Sequence, residues 1–409
     1  MSSTVTFEYV GRDGSGKPVK GRLDAPTESA VINRLRTLGV APTGIKEVSG
    51  GTGLNMDINL SLFDTPVSLK DLAVMSRQLA TMITAGLSLL QSLSILAGQS
   101  KNKKLAETLT KVCVDVETGH SFSESLQKHP RVFPPLMVNM VRAGETGGFL
   151  DGALESVAVN YEKEVKLRNT IKAALTYPVI VLIMSILAVI GMIIFIVPVF
   201  EKMFADLDGE LPLPTQILVV ISKNMVWLGP LLLVLTVGVA IWWGRYKNSD
   251  RVRKVVDPLR LRMPVFGPLA AKIAIARFTR NFATMVSSGV PILRSLAIVG
   301  ETSGNWVVER ALLKVQDSVR VGKSIAGPLA QEPIFPAMVT QMIAVGEDSG
   351  SLEIMLTKIS DFYDSEVQAT TEQLTSLIEP LMLAFIGVVI GGMIVCLYLP
   401  MFTIIGEIN

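Results

Sequence analysis

Three stretches of this chain, residues 173–200, 224–244 and 380–406, contain no Asp, Glu, Lys or Arg, and no other feature limits its fold so sharply. They run to 28, 21 and 27 residues, and a helix needs about 20 apolar residues to cross a bilayer core. Within them, residues 179–184 and 230–235 are apolar on every side of a helix, which suits lipid or a very large core. We read three transmembrane helices. A fourth charge-free stretch, residues 78–100, does not qualify, because Thr81, Thr84, Gly86, Ser88, Gln91 and Ser94 interrupt it. The capping-box spacing from Ser88 to Gln91 makes it two short helices joined near Gly86.

Composition fits a mixed chain. Charged residues make up 18% of the 409 and mean hydropathy is +0.46, which excludes disorder and a wholly water-soluble protein. Outside the three windows the charged fraction rises to about 22%, near the roughly 25% of soluble proteins, so most of the chain is ordinary soluble domain. A net charge of +2 offers no footprint for nucleic acid. Cys113 and Cys396 alone exclude a disulfide scaffold, and His120 and His129 beside them give no metal site. Residues 1–9 lack the basic and apolar regions of a signal peptide, so the N-terminus is expected to stay in the cytoplasm.

Basic residues flank the windows unevenly. Lys163, Lys166, Arg168 and Lys172 precede the first, and a run from Arg245 to Arg262 follows the second. Residues 201–223 instead carry Glu201, Asp206, Asp208 and Glu210 against Lys202 and Lys223. The positive-inside rule therefore predicts the N-terminus and the 245–270 connector in the cytoplasm, with the 201–223 loop and the 403–409 tail outside. The basic run reads as this topology signal in preference to an anionic-lipid site.

The chain also repeats itself. Residues 77–86 match 280–289, aligning Arg77, Ala80, Thr81, Met82 and Gly86 with Arg280, Ala283, Thr284, Met285 and Gly289. Gly119 then pairs with Gly322 and, after one deletion, Phe133-Pro134 with Phe335-Pro336, Gly144-Glu145 with Gly346-Glu347, Tyr161 with Tyr363, and Pro178 with Pro380. Each copy is a polar domain followed by one span. The span at 224–244 has no counterpart and brings the chain back so that both polar domains lie on one side.

Punctuation predicts about six helices per copy. Ser68 with Asp71 opens the first, Ser88 the second, a third covers about 101–117, and Ser121 with Glu124 caps a short fourth. Pro134-Pro135 begins a fifth, residues 144–148 turn the chain, and a sixth runs from Leu150 toward Pro178. Residues 1–48 differ: alternation at Val5, Phe7 and Tyr9, a turn at 11–16, Val19 and Leu23, a helix at 27–38 closed by Gly39, and a strand near Ile45. The expected organisation is a small α/β domain at 1–48, a linker at 49–67, copy 1 at 68–172, spans at 173–200, 224–244 and 380–402, and copy 2 at 271–378. The fold class is thus a mainly α membrane protein with a duplicated helical bundle, three transmembrane helices and a small α/β N-terminal domain.

Little in the chain proposes chemistry. The segment from Gly11 to Lys17 resembles a phosphate loop, but Pro18 stands where a Ser or Thr hydroxyl is needed and a strand follows, so it reads as a hairpin turn. Glu145 and Glu347 sit in paired Gly-rich turns, where the favoured reading is a carboxylate ordering its own turn by accepting N–H groups of the following helix. The alternative is a partner-binding or cation-binding pair, which makes Arg77, Gly144, Glu145, Arg280, Gly346 and Glu347 the candidate partner-binding residues. Gly387 and Gly391 have the spacing that permits close helix packing. No catalytic group or cofactor site emerges, and the spans hold no ionisable residue of the kind transporters use.

Taken together, the duplicated Arg77 and Arg280 segments, the Gly119 and Gly322 turns, Phe133-Pro134, Phe335-Pro336, the Gly-Glu pairs, the three spans and the Phe7-to-Gly11 module resemble the type II secretion system F family, which includes the platform proteins of type IV pili. The resemblance covers nearly the whole chain. It implies a non-enzymatic scaffold in the bacterial inner membrane, taking up motion from a cytoplasmic hexameric ATPase and passing pilin or pseudopilin helices into a fibre. Its implied partners are that motor ATPase, pilin transmembrane helices, other inner-membrane assembly components, membrane lipid and further copies of itself as a homo-oligomer. The paired cytoplasmic bundles are then expected to engage the motor as a unit, with the turns at Glu145 and Glu347 needed for assembly but not for insertion. A repeat-based transporter or channel component is the alternative, and it fits poorly because each repeat is mainly polar domain.

Overall fold

The computed structural model describes residues 5–12, 18–25, 27–37, 41–47, 66–205, 212–247, 249–264 and 266–407. They fall into two units, divided between Asp64 and Thr65. The first unit is a three-stranded antiparallel sheet with one helix: β1 (Val5–Arg12), β2 (Pro18–Ala25), α1 (Glu28–Thr37) and β3 (Ala41–Glu47) in the order β2-β1-β3. The sequence alternation sets its register, pairing Phe7 with Leu23 and Tyr9 with Ile45, so that Phe7, Ala25, Val31 and Leu35 form a small core. Strand β2 begins at Pro18, which confirms strand and not helix after the phosphate-loop look-alike. The predicted turn at 13–16, the Gly39 stop and the linker up to residue 65 lie outside the described residues.

Copy 1 of the second unit folds as α2 (Leu69–Thr84), α3 (Leu89–Gln99), α4 (Lys103–Glu117), α5 (Phe122–Gln127), α6 (Pro135–Gly147) and α7 (Leu150–Gly191). The predicted caps explain three of the starts, with Ser68 and Asp71 closing a full capping box and Ser88 and Ser121 each accepting an N–H from the first turn, and Asn102, which the sequence reading did not name, caps α4 in the same way. Two helices follow, α8 (Val197–Ala205) and α9 (Leu213–Tyr246), and then α10 (Asp250–Arg262). Copy 2 repeats the pattern as α11 (Phe266–Ser287), α12 (Ile292–Thr302), α13 (Trp306–Arg320), α14 (Ala326–Ala330), α15 (Ala337–Asp348) and α16 (Leu352–Glu407). The paired glycines mark equivalent corners. Gly86 with Gly289, Gly119 with Gly322 and Gly148 with Gly350 all have positive φ, a conformation that side chains with a Cβ resist.

The buried residues of both copies form one contiguous core, from Leu72 and Leu79 in α2 through Phe278 and Phe282 in α11 to Leu356 and Tyr363 in α16. Among the described residues three helices are long and apolar enough to cross a membrane: Leu150–Phe204, Trp227–Tyr246 and Leu352–Pro400. The first is continuous through a π turn at Met192–Ile196, where Ser222 of α9 donates to the Ile193 carbonyl at 2.7 Å.

Several segments differ from expectation by being helical. Helix α9 reaches back to Leu213, so most of the predicted 201–223 loop is helix, because Pro214 suits a first turn and Lys223 finds Glu201 at 2.6 Å. The 245–270 connector contains α10, and α11 begins at Phe266. The predicted 403–409 tail continues α16 to Glu407. The sixth and last helix of each copy does not stop at the membrane boundary: α7 and α16 run through Pro178 and Pro380 as single rods of 42 and 56 residues.

Candidate functional site

The two Gly-Glu pairs have the same geometry in both copies. Gly144 lies in the last turns of α6, where an added Cβ would stand 2.4 Å from the Ala153 Cβ and 3.1 Å from the Leu150 Cα of α7. Gly346 meets α16 in the same way, with the Leu352 Cα and Met355 Cγ each at 3.0 Å. These glycines let a helix lie directly on the long rod that follows it.

The neighbouring glutamates face the other way. Glu145 accepts from the backbone N–H of Phe122 at 2.6 Å and of Ser123 at 3.1 Å, while Ser121 takes the N–H of Glu124 at 3.2 Å. Glu347 likewise accepts from Ile325 at 2.7 Å and Ala326 at 3.3 Å, and Ser324 from Gly327 at 3.1 Å. Three leading N–H groups are thereby satisfied at each start, Phe122 to Glu124 of α5 and Ile325 to Gly327 at α14, two by the carboxylate, which also suits the positive helix end, and one by the serine hydroxyl. Two details of the sequence reading need correction. Gly144 and Glu145 are inside α6 and not in a turn, which falls instead at Gly148, and Glu347 is likewise inside α15. The helix each carboxylate caps is the short one before it in the chain, because packing and not chain order decides which N-terminus lies within reach.

Arg77 and Arg280 anchor ion clusters of unequal burial. Arg77 forks between Glu155 at 2.5 Å and Glu162 at 2.6 Å on α7, and this hydrogen bonding holds the Glu162 carboxyl below its usual range. Arg280, only 4% exposed, bonds Asp364 of α16, the repeat counterpart of Glu162, and also reaches Glu164 of copy 1 at 3.4 Å. Burial pushes the Asp364 carboxyl up, against the pull of Arg280 and Lys163. The Nε of Arg280 is buried without a partner among the described residues.

The residues the sequence reading missed are those that join the two copies. Helix α7 lies against α11 and α16 of copy 2. There Asn160, 4% exposed, donates to Asn281 at 3.1 Å and Thr284 at 3.2 Å. Glu164 binds Arg277 at 2.6 Å, Lys163 binds Asp361 at 2.8 Å, and Leu167 packs with Leu269, Val367 and Leu374. In the repeat Asn160 and Lys163 stand opposite Phe362 and Ser365, in a stretch where few positions agree, so the alignment does not single them out.

The candidate residues therefore do not converge on one site. Each Gly-Glu pair serves its own copy, Arg77 ties α2 to α7, and Arg280 ties α11 to α16 while also reaching Glu164 of copy 1. Among the described residues no group of three His, Cys, Asp or Glu could hold a metal ion. At Gly387 and Gly391 an added Cβ would meet nothing within 4 Å, so the expected close packing is not made by another described helix of this chain.

Two family models match the chain. One, described as type II secretion system protein F, matches twice, at residues 75–198 and 278–400, and its N-terminal domain model matches residues 1–46. The chain is 43% identical to a type IV pilus assembly protein PilC of Myxococcus xanthus, over 100% of this chain and 97% of that one. A PilC of Thermus thermophilus is 42% identical over 98% and 99%, and a type II secretion system protein F of Pseudomonas aeruginosa 34% identical over 97% and 98%.

Proposed function

The chain belongs to the type II secretion system protein F family, and from that premise we propose that it is a platform of the bacterial inner membrane that couples a cytoplasmic hexameric ATPase to polymerisation of pilins or pseudopilins. It acts without catalysing a reaction, as a homo-oligomer among other inner-membrane assembly components. The observation that carries this reading is the continuity of α7 and α16, each at once a core element of a polar bundle and an apolar span. A displacement imposed on the joined bundles reaches the lipid-facing surface with no loop to absorb it. That surface is uncharged and apolar, with Phe195, Leu231, Leu383 and Val388 all well exposed, and so offers faces on which a pilin transmembrane helix can pack. The lysine and arginine asymmetry supports bundles and N-terminus in the cytoplasm and the C-terminus outside. The greater identity to the two pilus assembly relatives than to the secretion relative supports the pilus form of the machine.

The motor is not expected to dock on Glu145 and Glu347, whose oxygens are engaged by backbone donors. The test targets continuity instead. Four flexible residues inserted after Lys172 and after Glu379 should leave membrane insertion and co-purification of the motor ATPase intact while abolishing fibre assembly. Normal piliation or secretion from that variant would refute the coupling.

A further inference from the structure

The basic run after the second span folds into α10, whose two faces differ. One face is bound to copy 2. There Asp257 accepts the backbone N–H of Trp306 at 2.8 Å, and Arg253 pairs with Glu309 at 2.8 Å, both at the start of α13. The missing side chain of Gly267 lets α11 approach the end of α10 so closely that an added Cβ would collide with the Leu261 carbonyl. Helix α10 is thereby held as part of the bundle.

The other face is open. At about 100° per residue, Val255, Leu259 and Met263 share one stripe, with Arg251 and Arg262 along one edge and Arg260 along the other. Val255 is 66% exposed and Leu259 62%. Of the seven basic residues between Arg245 and Arg262, only Arg253 makes an ion pair among the described residues. An apolar stripe edged by free cations is the pattern of a helix that lies in a membrane interface.

Position agrees with pattern. Leu259, Arg260 and Met263 line a cavity of about 400 Å³ together with Trp243, at the end of the uncharged stretch of α9, and with Ile171 and Leu175, at the start of that of α7. The stripe therefore stands level with the ends of two spans, where lipid headgroups meet acyl chains. Only residues 247–249 separate α9 from α10, a reach of at most about 14 Å, so the helix has little room to leave that boundary. Trp242 and Tyr246, with ring centroids 5.7 Å apart, add the aromatic side chains that favour membrane interfaces. Arg260 is the one charged group among the described residues lining the cavity.

We propose that α10 lies in the membrane interface and that the cavity beside it holds an anionic phospholipid, with an acyl chain against Leu175, Trp243 and Leu259 and the phosphate on Arg260. Arg251 and Arg262 hold neighbouring headgroups. A lipid suits this cavity better than an acidic protein segment does, because the walls are apolar and lie at the ends of the spans, where acyl chains already are. The free cations select anionic headgroups over zwitterionic ones. The basic run then does more than set topology: through Arg253 and Asp257 it fixes copy 2 against the bilayer surface. The inference takes from the fold only that α7, α9 and α16 cross a bilayer, and it does not depend on coupling to a motor.

The full-length chain with Trp227→Phe, Trp242→Phe and Trp306→Phe keeps Trp243 as its only tryptophan. It is placed in nanodiscs of phosphatidylcholine and phosphatidylglycerol in which one lipid or the other is brominated, so that quenching reads which lipid touches the cavity. Phosphatidylglycerol should quench about fivefold more strongly per lipid, the ratio that about 1 kcal/mol from one basic residue at an anionic surface gives. Leu259→Trp, as the only tryptophan, reads α10 itself and should show the same preference. Leu231→Trp, on the exposed face of α9, should be quenched by both lipids alike. Arg251→Gln, Arg260→Gln and Arg262→Gln together should bring the ratio at Trp243 near one, while Arg253 and Asp257 still hold the helix and Arg245, Lys247 and Lys254 keep the topology signal. The proposal is overturned if Trp243 shows no preference, if the preference survives the triple variant, or if Leu259→Trp is quenched by neither lipid. In that last case, with Leu231→Trp quenched, the spans remain in the bilayer and the open face belongs to water or an acidic protein.

Discussion

Replacing Gly144 by alanine should loosen copy 1 through a contact that can be located to the atom. The new methyl would stand 2.4 Å from the Ala153 Cβ, and the Leu150 Cα at 3.1 Å and Phe149 carbonyl at 3.2 Å leave it little room to move away. Overpacking of a close helix contact costs about 1–3 kcal/mol, and backbone neighbours put this site at the upper end. The better helix propensity of alanine returns at most about 1 kcal/mol. The net is a destabilisation of about 2 kcal/mol, or about 30-fold in the opening equilibrium. Cys113 provides the assay, since it is buried in copy 1 and burial together with Glu117 pushes its thiol up, making it slow to react when folded. In a Cys396→Ser background, maleimide labelling of Cys113 should speed up by about that factor. Adding Ala153→Gly should recover part of the loss, because it removes the shortest contact and leaves the two backbone ones. Unchanged or slower labelling in the Gly144→Ala chain, or no coupling between the two substitutions, would refute the reasoning.

Other expectations concern the caps and clusters. Glu145→Gln should accelerate amide exchange at Phe122 and Ser123 without affecting Ile325 and Ala326, and Glu347→Gln should do the reverse, each costing about 1–2 kcal/mol as a lost charged cap; unaltered exchange would return both carboxylates to the partner-binding reading. Arg280→Leu strips Asp364 of its partner at the partly buried joint, while Glu164 keeps Arg277, and should destabilise by about 3 kcal/mol, whereas Arg77→Leu, at a partly exposed site, should cost about 0–1 kcal/mol, which thermal melting in detergent would separate. Burial pushes the Asp71 carboxyl up, but the Ser68 N–H and hydroxyl and the Asn102 amide outweigh it and hold it below the usual aspartate value. A depressed carboxyl binds its proton later in the folded chain than in the unfolded one, so its stabilisation is present at neutral pH and lost as pH falls below about 4. Asp71→Asn should therefore melt below the parent at pH 7, with the gap closing as the pH is lowered to about 3.

What the sequence made legible was whatever is decided locally. Ser68, Ser88 and Ser121 announced helix starts because a cap acts within three residues, and the uncharged windows announced spans because lipid acts on every side chain alike. The repeat was legible too, down to glycine corners such as Gly119 and Gly322. Contacts across the chain were not. Nothing in the spacing of Glu145 indicates that Phe122 and not Leu150 supplies its donors, since both helix starts are Gly-bounded and close in sequence. The joint at Asn160 was hidden for a related reason. Asn160 and Phe362 are equivalents in the repeat, and nothing in their spacing shows that Asn160 is buried between the copies while Phe362 is exposed.

The paired prolines give the long rods a mechanical character of their own. Pro178 and Pro380 lack the N–H that would close the ladder to the residue four before them, so each rod is least stiff there, at the edge of its uncharged stretch. In α16 this pivot divides the helix into two arms of about 42 Å each at 1.5 Å per residue, so a tilt of about 5° carries each end through about 4 Å in opposite directions. Such a stroke is close to the 5.4 Å pitch of one helical turn. Bending at these two matching prolines takes up part of any such stroke, so how far a rocking of the joined bundles reaches into the apolar arms depends on how straight Pro178 and Pro380 stay.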